Sequence, residues 1–322
     1  MACILPKTLQ AQADSIVIHR QHHFAHTVPA GNYSGIAWTG GSRYAVVDDK
    51  SQTAGFRYME IKTDCLTGDI LEVRADSVLT TSGLPNRDEE GICYVPKTNT
   101  LFVSGEADGT ILEFTMDGRP TGRSLTIPDV FRTARSNSGF EALTYSEATG
   151  HFWTTSECTL EADGPMPTIT NKVVNRLRLQ SFGDDLLPKE QYWYVTDASF
   201  VEKETGTSYL GVSGLASLAD GRLVVLEREC YKSPKKVGSL VQVKLYIVNP
   251  SVQQPGEVLQ KELLASFRTK INLTVRSFAN YEGICAGPRL ADGRQLLILV
   301  ADSQNQYKGW LKDWFKAIVI PE

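Results

Sequence analysis

No run in this 322-residue sequence approaches the roughly 18–20 consecutive apolar residues a membrane-spanning helix needs. Nor is there a basic excess: the net charge is −4, with 33 Lys and Arg against 37 Asp and Glu, so no global field favours nucleic acid or an anionic membrane. The six cysteines, Cys3, Cys65, Cys93, Cys158, Cys230 and Cys285, include no CxxC pair, which removes the usual zinc and redox motifs. GxGxxG, GxxxxGK, HExxH and the GxSxG elbow are all missing. The start lacks the basic and apolar regions of a signal peptide, although Ala11-Gln12-Ala13 has the small-x-small form of a cleavage site. Residues 1–13 are therefore read as a leader or the remnant of a longer precursor, and 14–322 as one domain.

What the sequence does have is a diverged internal repeat. One phrase recurs five times: Tyr33-Ser34-Gly35-Ile36, Glu89-Glu90-Gly91-Ile92, Phe140-Glu141-Ala142-Leu143, Val212-Ser213-Gly214-Leu215 and Tyr281-Glu282-Gly283-Ile284. Its Glu or Ser positions lie 56, 51, 72 and 69 residues apart. A second phrase follows each time, a β-branched or aromatic run ending at an acid: Arg43 to Asp49, Leu101 to Glu106, Phe152 to Glu157, Leu223 to Glu229 and Leu296 to Asp302. Two more strand-like runs follow in most units, for example 110–116 and 123–127 around the Asp117-Gly118 turn, or 244–248 and 258–267. The fifth unit stops one strand short, and the unassigned run 15–27 can supply it. The pattern predicts an all-β propeller of four-stranded blades, five by repeat count, closed by an N-terminal strand; a sixth blade within 158–212 is the alternative.

In a propeller the innermost strands line a central channel, so equivalent residues of successive blades become neighbours. The first phrase opens the innermost strand, and the second phrase ends the next one at the same end of the blade. Asp49, Glu90, Glu106, Glu141, Glu157, Glu229, Glu282 and Asp302 are therefore expected to gather at one mouth. Like charges gathered so must be protonated, paired with cations or bound to a metal. An all-oxygen ligand set favours a hard cation, calcium ahead of magnesium. The plainer alternative is that these acids solvate a loop surface or pair with Arg57, Arg87 and Arg228.

The same segments, with Tyr44 to Asp49, Val103 to Glu106, Thr155 to Glu157, Leu226 to Glu229 and Val300 to Asp302, resemble the "esterase-like activity of phytase" family, the phytase-like propellers of bacteria. The likeness runs from about residue 30 to 320. It implies an exported protein, periplasmic or extracellular, and hydrolysis of a phosphoester or ester with calcium at the acidic mouth. Glu90 or Glu141 is the candidate general base, and Arg57, Arg87 and Arg228 are candidate phosphate clamps. Ser34 and Ser213 take two of the five repeat positions and are candidate ligand contacts with less charge than glutamate. The expected partner is a small molecule, phosphorylated in the hydrolase reading, acted on by a monomer. The alternative function is a non-catalytic propeller holding a small polar or carbohydrate ligand, with Tyr33, Phe140 and Tyr281 either a ligand platform or blade packing. Cys158 and Cys230 follow aligned acids in adjacent units; two buried thiols are preferred to a disulfide. Strand alternation is expected to separate His19, His22, His23 and His26 rather than converge them.

Overall fold

A computed structural model describes residues 15–321 except 77–79, 81, 203–204, 273 and 275; the expected leader lies outside the described residues. The described chain forms five antiparallel four-stranded sheets. Blade 1 is β2 (Tyr33–Gly40), β3 (Arg43–Asp48), β4 (Arg57–Thr63) and β5 (Ile70–Ala75). Blade 2 is β6 (Glu89–Val95), β7 (Thr100–Gly105), β8 (Thr110–Thr115) and β9 (Pro120–Ser124). Blade 3 is β10 (Phe140–Ser146), β11 (His151–Ser156), β12 (Arg176–Phe182) and β13 (Pro188–Val195), and blade 4 is β14 (Thr207–Ser217), β15 (Leu223–Lys232), β16 (Leu240–Val248) and β17 (Lys261–Lys270). Blade 5 is β18 (Asn280–Arg289), β19 (Gln295–Asp302) and β20 (Trp314–Ile320), completed by β1 (Val17–His23), which pairs Val17 with Val319 and His23 with Trp314. The 158–212 stretch makes no extra blade. It supplies the two outer strands of blade 3 and the opening of β14, with long connections before and after them. No described helix is long and apolar enough to cross a membrane.

The core is a set of inter-blade sandwiches. Between blades 1 and 2, for instance, Ala45, Val47 and Phe56 meet Ile92, Val103 and Phe114, all buried. The small residue of the first phrase has a direct cause. A Cβ on Gly35 would lie 2.2 Å from the Glu90 carbonyl oxygen, and one on Gly214 would lie 2.7 Å from that of Glu282. The innermost strands approach so closely that the position takes glycine in four blades and nothing larger than alanine, Ala142, in blade 3. Serine reinforces the contact: Ser34 Oγ donates to the Glu89 carbonyl at 2.8 Å, and Ser213 Oγ to the Tyr281 carbonyl at 3.2 Å.

Each innermost strand also breaks register at the repeat position, between Tyr33 and Gly35, Glu89 and Ile92, Phe140 and Ala142, Val212 and Gly214, and Tyr281 and Gly283. The Ser or Glu thus sits in a β-bulge, a device that re-aims a side chain. Two residues after it, Ile36, Ile92, Leu143, Leu215 and Ile284 are buried and line one cavity of about 510 Å³ toward the C-terminal ends of these strands. That apolar belt lies beneath the acidic end.

Cys158 and Cys230 are free and buried, as preferred from the sequence, and so are Cys93 and Cys285. The histidines depart from expectation. A register shift between Ile18 and Gln21 breaks the alternation, and His19 and His22 both face Asp69, at 3.7 and 2.9 Å.

Candidate metal and active site

The bulges and the β-hairpins bring most of the acids to one end of the channel. Glu90 is the hub. Carboxylate oxygens of Asp49, Asp88 and Glu90 lie within 4.8 Å of one another, and so do those of Glu90, Glu106 and Glu141. Lys50 reaches into the first group, 2.9 Å from Asp49 and 2.5 Å from Asp88. Glu106 accepts from the Gly139 amide at 2.8 Å. Across the channel one cation is shared by two acids: Arg228 Nη2 lies 3.0 Å from Glu157 and 2.9 Å from Glu282. Asn280 Nδ2 also donates to Glu282, at 2.7 Å. Asp302 pairs opposite Asn280 in the β18–β19 ladder.

The electrostatics follow from this crowding. Burial pushes the carboxyls of Glu90, Glu141 and Glu282 well above the ordinary range, and their acidic neighbours push further; Arg228 opposes the shift at Glu141 and Glu282. Burial raises Asp49 to about 7 and Asp302 to about 6. Asp49 Oδ1 is buried with no hydrogen-bond donor, the kind of orphan an ion or ordered water satisfies. An oxygen-only donor set, two groups sharing Glu90 and an unpartnered buried acceptor together fit a hard divalent cation.

Other expected site residues are engaged elsewhere. Glu229 lies inside β15 and accepts from Ser199, the Phe200 amide and Ser208, fastening the loop before β14. Arg87 forks onto Asp108 and Thr110, and Arg57 donates to the Asp76 carbonyl. The hydroxyls of Ser34 and Ser213 are spent on neighbouring strands. Tyr33, Phe140 and Tyr281 are buried within the ring, so they are packing rather than a platform. Sequence reasoning missed Asp88 and Lys50 as members of the group. The signal was present in their adjacency, since Lys50 follows Asp49 and Asp88 precedes the Glu89-Glu90 pair.

A family model described as "Phytase-like: Esterase-like activity of phytase" matches residues 28–304. The chain belongs to that family. This phytase-like chain is also similar to several solved structures, all at low identity. They include streptogramin B lyase, at 12% identity with 94% of this chain and 97% of that chain covered and a TM-score of 0.39. The endo-arabinase from Bacteroides thetaiotaomicron VPI-5482 is 13% identical, with 91% and 96% covered and a TM-score of 0.48. A nidogen/laminin complex gives 12% identity, 92% and 88% coverage and a TM-score of 0.42. No curated protein matches the chain.

Proposed function

We propose that this phytase-like propeller is an exported monomeric hydrolase that cleaves a phosphoester at its acidic mouth with the help of calcium. The observation that carries the reading is the pair of three-carboxylate groups sharing Glu90, beside the buried and donorless Asp49 Oδ1. Asp49, Asp88 and Glu90 would hold the ion, with Glu106 beside them, and Glu141 would stay free of it. Bound there, calcium supplies positive charge to the phosphoryl oxygens and offsets the charge that develops during hydrolysis.

Hydrolysis joins a water oxygen to phosphorus, breaks the phosphorus–oxygen bond to the alcohol, and moves one proton from the water to the departing oxygen. Glu141 suits the relay of that proton, because its buried carboxyl holds protons more tightly than an ordinary glutamate. Arg228, fixed between Glu157 and Glu282, offsets one of their two charges and so lessens the repulsion a phosphate would meet at the far half of the mouth.

A panel of phosphomonoesters including phytate, assayed with calcium and with EDTA, tests the reading. Chelator-sensitive turnover of at least one ester is expected. No chelator-sensitive turnover on any of them would overturn it, and saturable binding without turnover would favour a binding propeller instead.

A further inference from the structure

A pocket of about 340 Å³ opens against the acidic mouth, between blades 4 and 5. Asn280 and Asp302 belong to both places. Asn280 donates to Glu282 at the mouth, while its Oδ1 is buried without a donor. Phe278, Tyr307 and Trp310 give the pocket an aromatic lining, and Lys232 and Lys236 give it charge. Tyr307 and Trp310 stay 39% and 44% exposed, which leaves ring surface to be covered. Lys236 Nζ lies 3.0 Å from the Tyr307 hydroxyl.

The charge around this pocket is mostly positive. The segments 230–240, 270–280 and 302–312 that form it carry seven basic residues and one acid, Asp302. Among the described residues none of the seven makes an ion pair with a carboxylate. The contrast with the rest of the mouth is sharp, since Arg87, Arg228 and Lys50 each have acidic partners. An anionic substrate approaching a ring of carboxylates needs cations not neutralised by acids to guide and hold it. Here Lys236 lies over the Tyr307 ring at 4.4 Å, Arg276 over Trp310 at 4.9 Å and Lys232 over Tyr209 at 5.0 Å, which leaves the opposite ring faces of Tyr307 and Trp310 for a ligand.

We propose that this pocket receives the leaving group of the substrate, and that the leaving group is a flat ring: the substrate is an aryl or nucleoside phosphoester rather than a polyol phosphate. The inference rests on the hydrolase reading for its chemistry but has its own binding test. The ring stacks against Trp310 and Tyr307, and Lys232 and Lys236 meet the substrate's negative charge as it reaches the mouth.

The test uses the full chain, with Trp310→Ala and Lys236→Gln as separate variants. Equilibrium dialysis with 1-naphthylphosphonate, which cannot be hydrolysed, reads the pocket without turnover. Each variant should weaken binding about tenfold, the scale of one lost stacking or cation contact. Trp310→Ala should also raise KM for 1-naphthyl phosphate and AMP more than for glycerol 2-phosphate, which has no ring to stack, whereas Lys236→Gln should raise KM for all three phosphates. Because both side chains are exposed, melting temperatures should match wild type and so separate loss of binding from loss of fold. Unchanged binding in both variants, or equal preference for glycerol 2-phosphate and naphthyl phosphate, overturns the inference. Naphthylphosphonate binding that the variants weaken, with no ester ever turned over, leaves the pocket standing and removes the hydrolase reading. Chelator-sensitive turnover indifferent to both variants does the reverse.

Discussion

Glu90→Gln removes one charge from the densest part of the mouth while keeping the volume of the side chain. Glu90 belongs to both carboxylate groups, whose oxygens lie within 4.8 Å of one another. Like charges at that distance cost about 3 kcal/mol per pair at an effective dielectric of 20. Proton uptake caps the cost, because a carboxyl that cannot bear ionisation takes a proton instead. Asp49, raised from 3.8 to about 7, marks that cap at about 4 kcal/mol. In EDTA at pH 8 the variant should therefore be more stable than wild type by about 3 kcal/mol. At about 2 °C per kcal/mol for a chain of this size, Tm rises about 6 °C. Calcium reverses the order. Wild type gains about 3–4 kcal/mol when the ion is at 100 to 1,000 times its Kd, because only the folded ring binds it, and the variant gains little. Differential scanning fluorimetry over calcium and EDTA reads both effects. As pH falls the EDTA difference should shrink, since burial and the acidic neighbours favour the protonated form of Glu90 in wild type. If the variant melts with wild type in EDTA at pH 8 and calcium moves neither, the carboxylates do not form a charged cluster and the reasoning fails.

Without calcium, wild-type stability should be greatest near pH 4 and fall as pH rises through about 6 and 7, because Asp302, Asp49 and Glu89 release protons more easily in the unfolded chain than in the ring; urea melts at several pH values check this, and a flat profile would contradict it. Arg228→Met leaves Glu157 and Glu282 buried and unpaired and should cost about 3–5 kcal/mol, while adding Glu157→Gln and Glu282→Gln should recover most of it. Gly35→Ala drives a Cβ to 2.2 Å from the Glu90 carbonyl oxygen and should cost about 3 kcal/mol or abolish soluble expression, whereas the exposed Gly40→Ala, with nothing within 4 Å but a positive φ of 112°, should cost less; a loss at Gly35, which has no positive φ, no greater than that at Gly40 would contradict the close blade contact.

The blade count and the ring closure were legible because the repeat encodes them directly: each first phrase opens an innermost strand, and β1 fills the place the fifth unit leaves vacant. Outer strands were less well bounded. The run expected at 123–127 is observed as β9 at Pro120–Ser124, all of it exposed, and an exposed strand has no buried face to fix its register. Of the acids, periodicity placed Glu90, Glu141 and Glu282 together because they occupy the same bulge in three blades. Glu229 differs because β15 runs on to Lys232, so its carboxylate falls within a strand and beside the loop it fastens. The pairing of Arg228 with Glu157 and Glu282 depends on side-chain reach between blades, which spacing along the chain does not encode. The aromatic and cationic pocket was invisible for the same reason, being assembled from three separated loops.

The bulge that carries each repeat residue has a consequence for how such a mouth can change over generations. Its side chain stands above the apolar belt and outside the inter-blade sandwiches, so exchanging glutamate for serine alters the mouth by one unit of charge while the glycine contact and the belt stay as they are. Blades 1 and 4 have taken the uncharged setting at Ser34 and Ser213, and the other three keep glutamate. The ring thus works as a five-place dial for charge, adjustable one notch at a time by single codon changes, with the framework that holds it left untouched.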